Sequence, residues 1–401
     1  MPTDRTVTNT MGRRILTLNQ ISVKGLERLP RDAYEIASEF THPDAILLRS
    51  HKLQAADIAD SVLAIARAGA GVNNIPVAEC TRRGIPVFNS PGANANAVKE
   101  LVAVGLLLGS RGIIEGLAYV DGLTGIADAA ELHQTLEANK KNFKGNELRG
   151  KTLGIVGLGA IGSLVADMAL TLGMDVIGYD PALSVDAAWR LSSQVRKADT
   201  LSAVFTRSDY VTLHLPALES TRGLVNAEML AAMPAHACLL NFARQEIVDE
   251  AALLAALERG QLRKYIADFP SPALIGRSDV VLMPHIGAST DEAEDNCAVM
   301  AADQLRDFLE NGNIRNSVNF PTLQLERAGG CRLAVTNTNV PKILGSVLSI
   351  LAELDINVVD MLNKSRDDIA YNLIDMDVCP AESSLASMRA LDGVVNVRVI
   401  P

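Results

Sequence analysis

The chain lacks several features that define broad classes of protein. None of its hydrophobic stretches approaches the roughly 20 apolar residues that a membrane-spanning helix needs. The polar start, MPTDRTVTNTMG, precedes an apolar run too short for a signal peptide core. Lysine and arginine are outnumbered by aspartate and glutamate, 37 against 47, whereas nucleic-acid binding requires a basic face. The sequence therefore predicts a globular protein with no membrane or nucleic-acid partner and a disordered N-terminal tail.

Cysteine is scarce and shows no pattern. The five cysteines form no CxxC pair, and their odd number argues against a disulfide framework. They are Cys80, Cys238, Cys297, Cys331 and Cys379. This usage fits a reducing cytoplasm, and the sequence predicts no metal site.

The 401 residues do contain regular alternation. From Arg14 to Gly92, short apolar runs alternate with helix-like stretches, as in a parallel α/β unit. The run NANAVKELVAVGLLLGSRG follows with helical spacing, and then comes a polar stretch from about Asp121 to Gly150. We interpret that stretch as a linker or a mobile loop. A second alternating set extends from Lys151 to about Gly287.

The last part of the chain has a different order. A capping box from Ser289 to Glu292 and a stop at Gly312 predict a long helix that returns the chain to the first domain. Residues 331–401 then follow the strand, helix, strand, strand, helix, strand order of a ferredoxin-like unit. We therefore predict an α/β fold with two doubly wound parallel-sheet domains and a C-terminal βαββαβ domain. The predicted domains are residues 1–93 with 288–326, residues 94–287, and residues 327–401.

A glycine-rich turn supplies the first chemical motif. In GKTLGIVGLGAIGSLVADMALTLGMDVIGYDP, a GxGxxG pattern separates a predicted strand from a predicted helix, and Asp180 ends the next strand. That context is typical of a dinucleotide-binding turn, in which the helix N-terminus faces the pyrophosphate. Asp180 would accept hydrogen bonds from the ribose hydroxyls and repel a 2′-phosphate, so NAD is predicted rather than NADP. The residues predicted to bind the cofactor here are Gly157, Gly159, Ala160, Ile161, Gly162 and Asp180.

Two further polar residues directly follow apolar runs. Arg244 follows HACLLNFA and His285 follows VVLMP, so each is predicted just after a strand. Hydride transfer from a hydroxy acid needs a cation for the carboxylate and a proton acceptor for the hydroxyl. Ligands of open α/β sheets bind at the carboxyl ends of the strands. We therefore take Arg244 and His285 as candidate catalytic residues, although either one alone is more simply a surface or structural residue.

Several blocks together resemble the D-isomer-specific 2-hydroxyacid dehydrogenases. They are RAGAGVNNI, GIPVFNSPGANANAVKELV, GLGAIG, HLP, LLNFARQEIVDE, PHIGAST and GNIRNSVNFP. The resemblance implies that Arg244 binds the substrate's carboxylate and carbonyl oxygen and that His285 transfers the proton. It implies NAD-dependent oxidation of 3-phospho-D-glycerate to 3-phosphohydroxypyruvate, the first step of L-serine synthesis. A glyoxylate or hydroxypyruvate reductase and a non-catalytic NAD-sensing corepressor remain the alternatives.

The same resemblance implies further roles. Asp268 would lie near the nicotinamide carboxamide, and the HLP block adds His214 and Pro216 to the cofactor site. The backbone N–H groups of a turn would hold the carboxylate, and another group would bind the phosphorylated end. The predicted substrate-binding residues are Ala70, Gly71 and Val72 of that turn, with Arg49, Ser50 and Asn94. Lys140, Lys141 and Lys144 either add positive charge from a neighbouring subunit or belong to a solvated loop.

The sequence departs from the family at the histidine. The family places a glutamate after the aspartate to polarise the histidine, whereas the run here is DFPSPAL. Gln245 also stands where the family has a glycine. Glu246, Asp249 and Glu294 are the carboxylates that would substitute, and the sequence leaves the choice among them open.

Residues 331–401 resemble an ACT domain, a small ligand-sensing module that pairs with a second copy. In such relatives, serine binds between the paired copies through a histidine and two asparagines. Asn339 and Asn357 match the asparagines, and Asn337 occupies the histidine position. The resemblance implies a serine effector and a homodimer or homotetramer, with a dimerisation module that binds no ligand as the alternative.

Overall fold

The computed structural model describes residues 12–328 and 330–400, so the predicted N-terminal tail lies outside the described residues. The chain divides into two units. The first unit contains the residues up to Asn94 together with those from Asp291 onward, and the second unit is Ala95–Thr290. Two parallel sheets and one antiparallel sheet confirm the predicted fold class.

The first unit begins with a five-stranded parallel sheet in the order β2-β1-β3-β4-β5. Its elements are β1 Arg13–Leu18, α1 Val23–Leu26, β2 Tyr34–Ala37, β3 Ala45–Leu48, β4 Ala64–Arg67, α2 Val77–Arg82 and β5 Val87–Phe88. Strand β3 is buried along its whole length because both faces of a parallel sheet are covered. The segments that leave β3 and β4 emerge side by side at the carboxyl edge.

The second unit contains a seven-stranded parallel sheet in the order β12-β11-β10-β9-β6-β7-β8. Its strands are β6 Thr152–Val156, β7 Asp175–Tyr179, β8 Arg196–Lys197, β9 Tyr210–Leu213, β10 Cys238–Asn241, β11 Lys264–Ala267 and β12 Val280–Leu282. The helices are α3 Ala95–Ser110, α4 Ile113–Asp121, α5 Ala129–Asn139, α6 Ala160–Thr171, α7 Val185–Ala188, α8 Leu201–Arg207, α9 Ala227–Ala232 and α10 Glu250–Glu258. The strand order reverses between β6 and β9, which places a ligand crevice at their carboxyl ends.

The stretch predicted to be a linker or a mobile loop is largely helical, so that interpretation is wrong. It contains α5, whose first turn is capped by the Asp128 carboxylate through the backbone N–H of Glu131, at 2.8 Å. The sequence of α5, AAELHQTLEAN, consists mostly of good helix formers. The apolar face of α5 is limited to Leu132 and Leu136, which are only half-buried, so hydrophobic periodicity alone did not indicate this helix.

In the described part of the chain, no single helix has the length and apolar character to cross a bilayer. Helices α3 and α4 pass that test only when taken together, and the chain bends by 72° between them. Helix α3 lies within the run NANAVKELVAVGLLLGSRG, for which helical spacing was predicted, and it buries Val102 and Leu106 against the second sheet.

The C-terminal part has the predicted βαββαβ order. Helix α11 (Asp291–Asn311) leads to β13 Cys331–Thr338, α12 Ile343–Glu353, β14 Val358–Arg366, β15 Ile369–Met376, α13 Glu382–Arg389 and β16 Val394–Ile400. The antiparallel sheet has the order β14-β15-β13-β16. Helix α11 ends, as predicted, before Gly312, whose φ of 74° is the left-handed conformation that glycine adopts without strain.

Within the first unit, the antiparallel sheet packs on the carboxyl end of α11. Arg398 donates to the carbonyl of Phe308 at 2.7 Å, and its guanidinium lies 4.4 Å from the centre of that ring. Tyr371 donates its hydroxyl to the carbonyl of Gly312 at 2.8 Å. The Phe308 carbonyl also accepts the N–H of Gly312 at 2.9 Å, so Arg398 is a second donor there. Tyr371 supplies a donor for the Gly312 carbonyl, just beyond the end of the helix.

One disulfide joins Cys331 to Cys379, across 48 residues of sequence. The odd number of cysteines therefore did not exclude a disulfide: it leaves Cys80, Cys238 and Cys297 as buried free thiols. Pairing depends on the distance between Cα atoms, which is 5.2 Å here, and sequence spacing does not reveal that distance.

Candidate active site

The glycine turn after β6 has the geometry of a dinucleotide site. Gly157 has a φ of 93°, and a Cβ there would lie 2.4 Å from the carbonyl oxygen of His214. A Cβ on Gly162 would lie 1.9 Å from the carbonyl oxygen of Gly157, so helix and strand pack too closely for a side chain. Nothing lies within 4 Å of a Cβ on Gly159, the residue before helix α6. The turn therefore leaves open space at the helix N-terminus, where a pyrophosphate fits. Ala160 and Ile161 form the first turn of that helix.

Asp180 and His214 flank this turn. Asp180 accepts from the backbone N–H of Leu158 and of Ala182, at 2.8 and 2.9 Å. The Nε2 atom of His214 lies 3.0 Å from the hydroxyl of Thr212. Its Nδ1 atom is buried and has no partner among the described residues. Burial lowers the pKa of His214 to about 3, so the ring is neutral. An unpartnered ring nitrogen beside the turn fits a ligand that supplies a polar group. Pro216 is exposed two residues further along the chain.

Asn241 positions the segment that carries Arg244. It is fully buried at the end of β10, and its Nδ2 donates to the carbonyl of Arg244 at 2.9 Å. Its own carbonyl accepts the N–H of Asp268 at 3.2 Å. Arg244 is half-buried and donates through one guanidinium nitrogen to the carbonyl of Ala243 at 2.7 Å. Among the described residues of the second unit, Arg244 forms no ion pair, so its charge is available to an anion.

Asp268 positions the segment that carries His285. Its carboxylate is 1% exposed and accepts from the N–H groups of Ile286 and Gly287, at 2.8 and 2.7 Å. His285 has a φ of 57°, a conformation that costs free energy in a residue other than glycine. The two hydrogen bonds to Asp268 hold the chain in that conformation. The imidazole is exposed and lies 4.9 Å from the ring of Phe269, centre to centre.

No carboxylate of the second unit, as far as the structure describes it, forms an ion pair with His285. Two of the three candidate substitutes have other partners. Asp249 caps α10 by accepting from the N–H of Ala252 at 3.0 Å, and Glu294 pairs with Arg49 at 2.7 Å. The backbone carbonyl of Glu246 accepts from the N–H of Gly223 at 2.8 Å. Within the described residues of the second unit, no carboxylate therefore takes the place of the family glutamate beside His285.

The first unit presents a second polar edge, at the ends of β3 and β4. Asn19 accepts the N–H groups of Ser50 and His51. Arg67 donates to the carbonyl of Arg49 at 2.8 Å and also to the carbonyl of Gly71. Because one guanidinium binds both carbonyls, the segments that carry Arg49 and Gly71 are neighbours.

The turn at this edge has unused donors. The backbone N–H groups of Ala70, Gly71 and Val72 donate to no acceptor in the described part of the chain. The side-chain amide of Asn89 holds the turn by donating to the carbonyl of Ala70 at 2.6 Å. Successive free N–H groups form an anion-binding concavity. Asn94 is half-buried and immediately precedes α3.

The predicted site residues thus form two groups, one in each unit. The second unit brings the glycine turn, Arg244, Asp268 and His285 to one sheet edge, and the first unit brings Arg49, Ser50 and residues 70–72 to another. Lys140, Lys141 and Lys144 are exposed, and Lys140 pairs with Glu137.

The predicted effector residues are separated. Asn337 is 4% exposed, and its amide is bonded to Asn372 at 2.8 Å and to the Thr338 carbonyl at 2.7 Å. Asn339 and Asn357 are exposed. Asn339 follows the last residue of β13. Asn357 precedes the first residue of β14, and the first residues of β13 and β14 both pair with Met376 of β15. They therefore lie at opposite ends of the sheet.

Sequence reasoning missed the residues that position the others. Each of these residues binds backbone and lies at or just after the end of a strand: Asn241, Arg67, Asn19 and Asn89. An asparagine that interrupts an apolar run, as in CLLNFA, is the signal that would have indicated them.

Comparison with known proteins agrees with this geometry. The model of the NAD-binding domain of D-isomer-specific 2-hydroxyacid dehydrogenases matches residues 118–287. A Haemophilus influenzae protein named D-3-phosphoglycerate dehydrogenase is 34% identical over 342 residues, 82% of this chain and 79% of that protein. A Schizosaccharomyces pombe protein named putative D-3-phosphoglycerate dehydrogenase is 30% identical over 96% of this chain and 88% of its own length. The crystal structure of NAD+-bound 3-phosphoglycerate dehydrogenase from Entamoeba histolytica aligns with a TM-score of 0.61 and 26% identity, over 78% of this chain and all of that chain (100%).

Proposed function

Because the chain belongs to the D-isomer-specific 2-hydroxyacid dehydrogenases, we propose that it oxidises 3-phospho-D-glycerate to 3-phosphohydroxypyruvate with NAD, the first step of L-serine synthesis. The observation that carries this proposal is the placement of Arg244, Asp268 and His285 after three adjacent parallel strands. Those strands belong to the sheet that carries the glycine turn.

The roles of the residues follow from their chemistry. The turn at Gly157 to Gly162 and Asp180 would hold NAD, with His214, Pro216 and Asp268 completing its site. When bound, NAD accepts the hydride from C2 of the substrate. The His285 imidazole accepts the proton of the C2 hydroxyl.

The anionic groups of the substrate require separate partners. Arg244 would bind the carboxylate and stabilise the developing carbonyl oxygen, since a guanidinium is suited to two oxygens at once. The free N–H groups of residues 70–72 would bind the carboxylate as well. Arg49 and Ser50, with Asn94 beside them, would bind the phosphorylated end.

The domain roles are part of the same proposal. Residues 1–93 with 288–326 would bind the substrate, 94–287 would bind NAD, and 327–401 would act as the regulatory ACT domain. Serine as effector is supported by the exposed amides of Asn339 and Asn357. Because these two lie at opposite ends of one sheet, a site that uses both requires two copies of the chain. We retain a cytoplasmic location as a prediction.

A homodimer or homotetramer is also proposed. Helix α4 exposes Ile113, Ile114, Leu117 and Val120, at 39%, 41%, 63% and 54%. Contiguous apolar surface of this kind is typical of an interaction site. Sedimentation of the full chain tests this proposal, and a monomer at micromolar concentration would contradict it.

The decisive experiment measures NADH oxidation with phosphohydroxypyruvate, hydroxypyruvate and glyoxylate side by side. We expect the highest kcat/KM with phosphohydroxypyruvate. His285→Ala should lower kcat by about 10²-fold or more, the usual contribution of a general base. His133→Ala, which removes an exposed histidine of α5, is the matched control and should leave activity unchanged. Higher kcat/KM with glyoxylate would favour the reductase, and no turnover of any substrate would favour the NAD-sensing protein.

A further inference from the structure

Arg49, the proposed phosphate-binding residue, is paired with a carboxylate. Its Nη2 atom lies 2.7 Å from Oε1 of Glu294, and the two side chains are 37% and 41% exposed. Arg49 follows strand β3, and Glu294 lies in the first turn of α11. The sequence raised Glu294 only as a partner for His285, so this pairing assigns it a different role.

The backbone that carries Arg49 is fixed, whereas its side chain is not. Its carbonyl accepts from Arg67 at 2.8 Å and from Asn74 at 3.1 Å, and the next two N–H groups are bound by Asn19. The ion pair itself is accessible to water. Exposed pairs of this kind contribute little net free energy and open readily. The guanidinium can therefore exchange partners without movement of the chain.

A substrate phosphate and Glu294 compete for the same guanidinium. A phosphate monoester carries about 1.5 to 2 negative charges at neutral pH and accepts hydrogen bonds best from the paired nitrogens of an arginine. While Glu294 occupies Nη2, that paired arrangement is incomplete, and its carboxylate repels the incoming phosphate. An unphosphorylated substrate places no such demand on Arg49.

We infer that Glu294 is a specificity-determining residue: its ion pair with Arg49 competes with the substrate phosphate, so the preference for the phosphorylated substrate is lower than Arg49 alone would give. This inference rests on the proposed function, because it concerns the phosphorylated end of that substrate. In this ion pair the charge of Arg49 is neutralised. Weakly charged anions, and the hydroxyl end of an unphosphorylated hydroxy acid, are therefore not attracted to it. The ion pair also lowers the affinity for phosphate of the sheet edge that carries Arg49.

The test compares Glu294→Gln with Glu292→Gln. Glu292 is an exposed acid of the same helical turn, so its substitution removes the same charge without removing the pair. We expect Glu294→Gln to raise the ratio of kcat/KM for phosphohydroxypyruvate to that for hydroxypyruvate by roughly fivefold, the contribution of an exposed ion pair. Glu292→Gln should leave the ratio unchanged. In an Arg49→Gln background, Glu294→Gln should give no gain.

A second readout does not depend on the phosphorylated substrate. Inorganic phosphate is titrated as an inhibitor of hydroxypyruvate reduction, and Glu294→Gln should lower the inhibitory concentration by roughly fivefold. An equal effect of the two glutamine variants, or a gain that persists without Arg49, would overturn the inference. If the wild-type protein does not prefer phosphohydroxypyruvate, the proposed function fails. The phosphate titration still decides whether Glu294 controls Arg49.

Discussion

Two arginine–carboxylate pairs lie near opposite ends of helix α11, and they differ in burial. Near the amino end, Arg49 and Glu294 are 37% and 41% exposed. Near the carboxyl end, Arg332 and Asp375 are both 0% exposed, with atoms 2.6 Å apart. The chemical groups are the same. An ion pair that is exposed to solvent can exchange partners during function. A buried ion pair must remain intact for the fold to be stable.

The buried pair is embedded in a complete set of hydrogen bonds. Arg332 also donates to the carbonyls of Asn311 and Leu325, both at 2.9 Å. Asp375 accepts in addition from the N–H of Ala328 at 3.0 Å. Removing charges from water is costly, and only a fully satisfied network offsets that cost. This pair joins the antiparallel sheet to the end of α11, whereas the exposed pair joins the first turn of α11 to the segment after β3.

The largest effect is expected from Asp375→Asn, which would break the buried pair. The variant leaves a guanidinium buried without a counter-charge, so the free energy of unfolding should fall by about 3 to 5 kcal/mol. Urea unfolding of the full chain measures it. The double variant Arg332→Met/Asp375→Leu removes both charges and should be less damaging. A double variant at least as unstable as the single one would contradict this account.

The pH dependence gives the same prediction a second readout. Burial tends to raise the pKa of Asp375, but the hydrogen bonds from Arg332 and from the N–H of Ala328 hold the pKa below its usual value. A carboxyl with a lowered pKa contributes stability that is present above the unfolded value of about 3.9 and is lost as the pH falls through the folded value. The stability difference between wild type and Asp375→Asn should therefore narrow below about pH 4.

An intermediate effect is expected from opening the Cys331–Cys379 disulfide, which joins the start of β13 to the segment after β15. Cys379 is exposed, so a dithiol reductant can reach it. Reduction should lower the free energy of unfolding by about 2 to 4 kcal/mol, because a long loop is no longer closed in the unfolded chain. In Cys379→Ser, the reductant should have no effect on the urea midpoint. If the reductant still shifts the urea midpoint of Cys379→Ser, the effect of the reductant does not come from this disulfide.

The smallest effect on stability is expected from the exposed pair. Glu294→Gln should change the free energy of unfolding by less than about 1 kcal/mol, while it changes substrate preference. Urea unfolding beside the kinetic ratios checks both quantities in one preparation. If Glu294→Gln lost as much stability as Asp375→Asn, solvent exposure would not explain the difference between the two ion pairs.

Much of the fold could be predicted because it depends on local pattern. Period-2 and period-3.6 spacing gave the βαββαβ order, and Gly312 gave the end of α11. Helix α5 was missed because its apolar face consists of only two half-buried leucines, and its cap and helix propensity are the stronger signals. The disulfide was missed because it depends on a distance between residues 48 positions apart.

The candidate site divides in the same way. Gly157, Arg244 and His285 could be found because each follows an apolar strand, and the carboxyl ends of parallel strands meet at one edge. The partners of those residues could not be found. The placement of Asp268 beside the nicotinamide stays a prediction, whereas its hydrogen bonds to the backbone after His285 could be found only in the structure.

The sequence by itself determined the family, the cofactor and the residues that carry charge at the strand ends, because these depend on residue types at fixed local spacing. Only the tertiary structure decided which charges meet. Glu294 is 245 residues from Arg49 along the chain and Asp375 is 43 from Arg332, so neither pair is encoded in a local pattern. Burial, which distinguishes the two pairs, is a property of the packed neighbours and has no counterpart in the residues themselves.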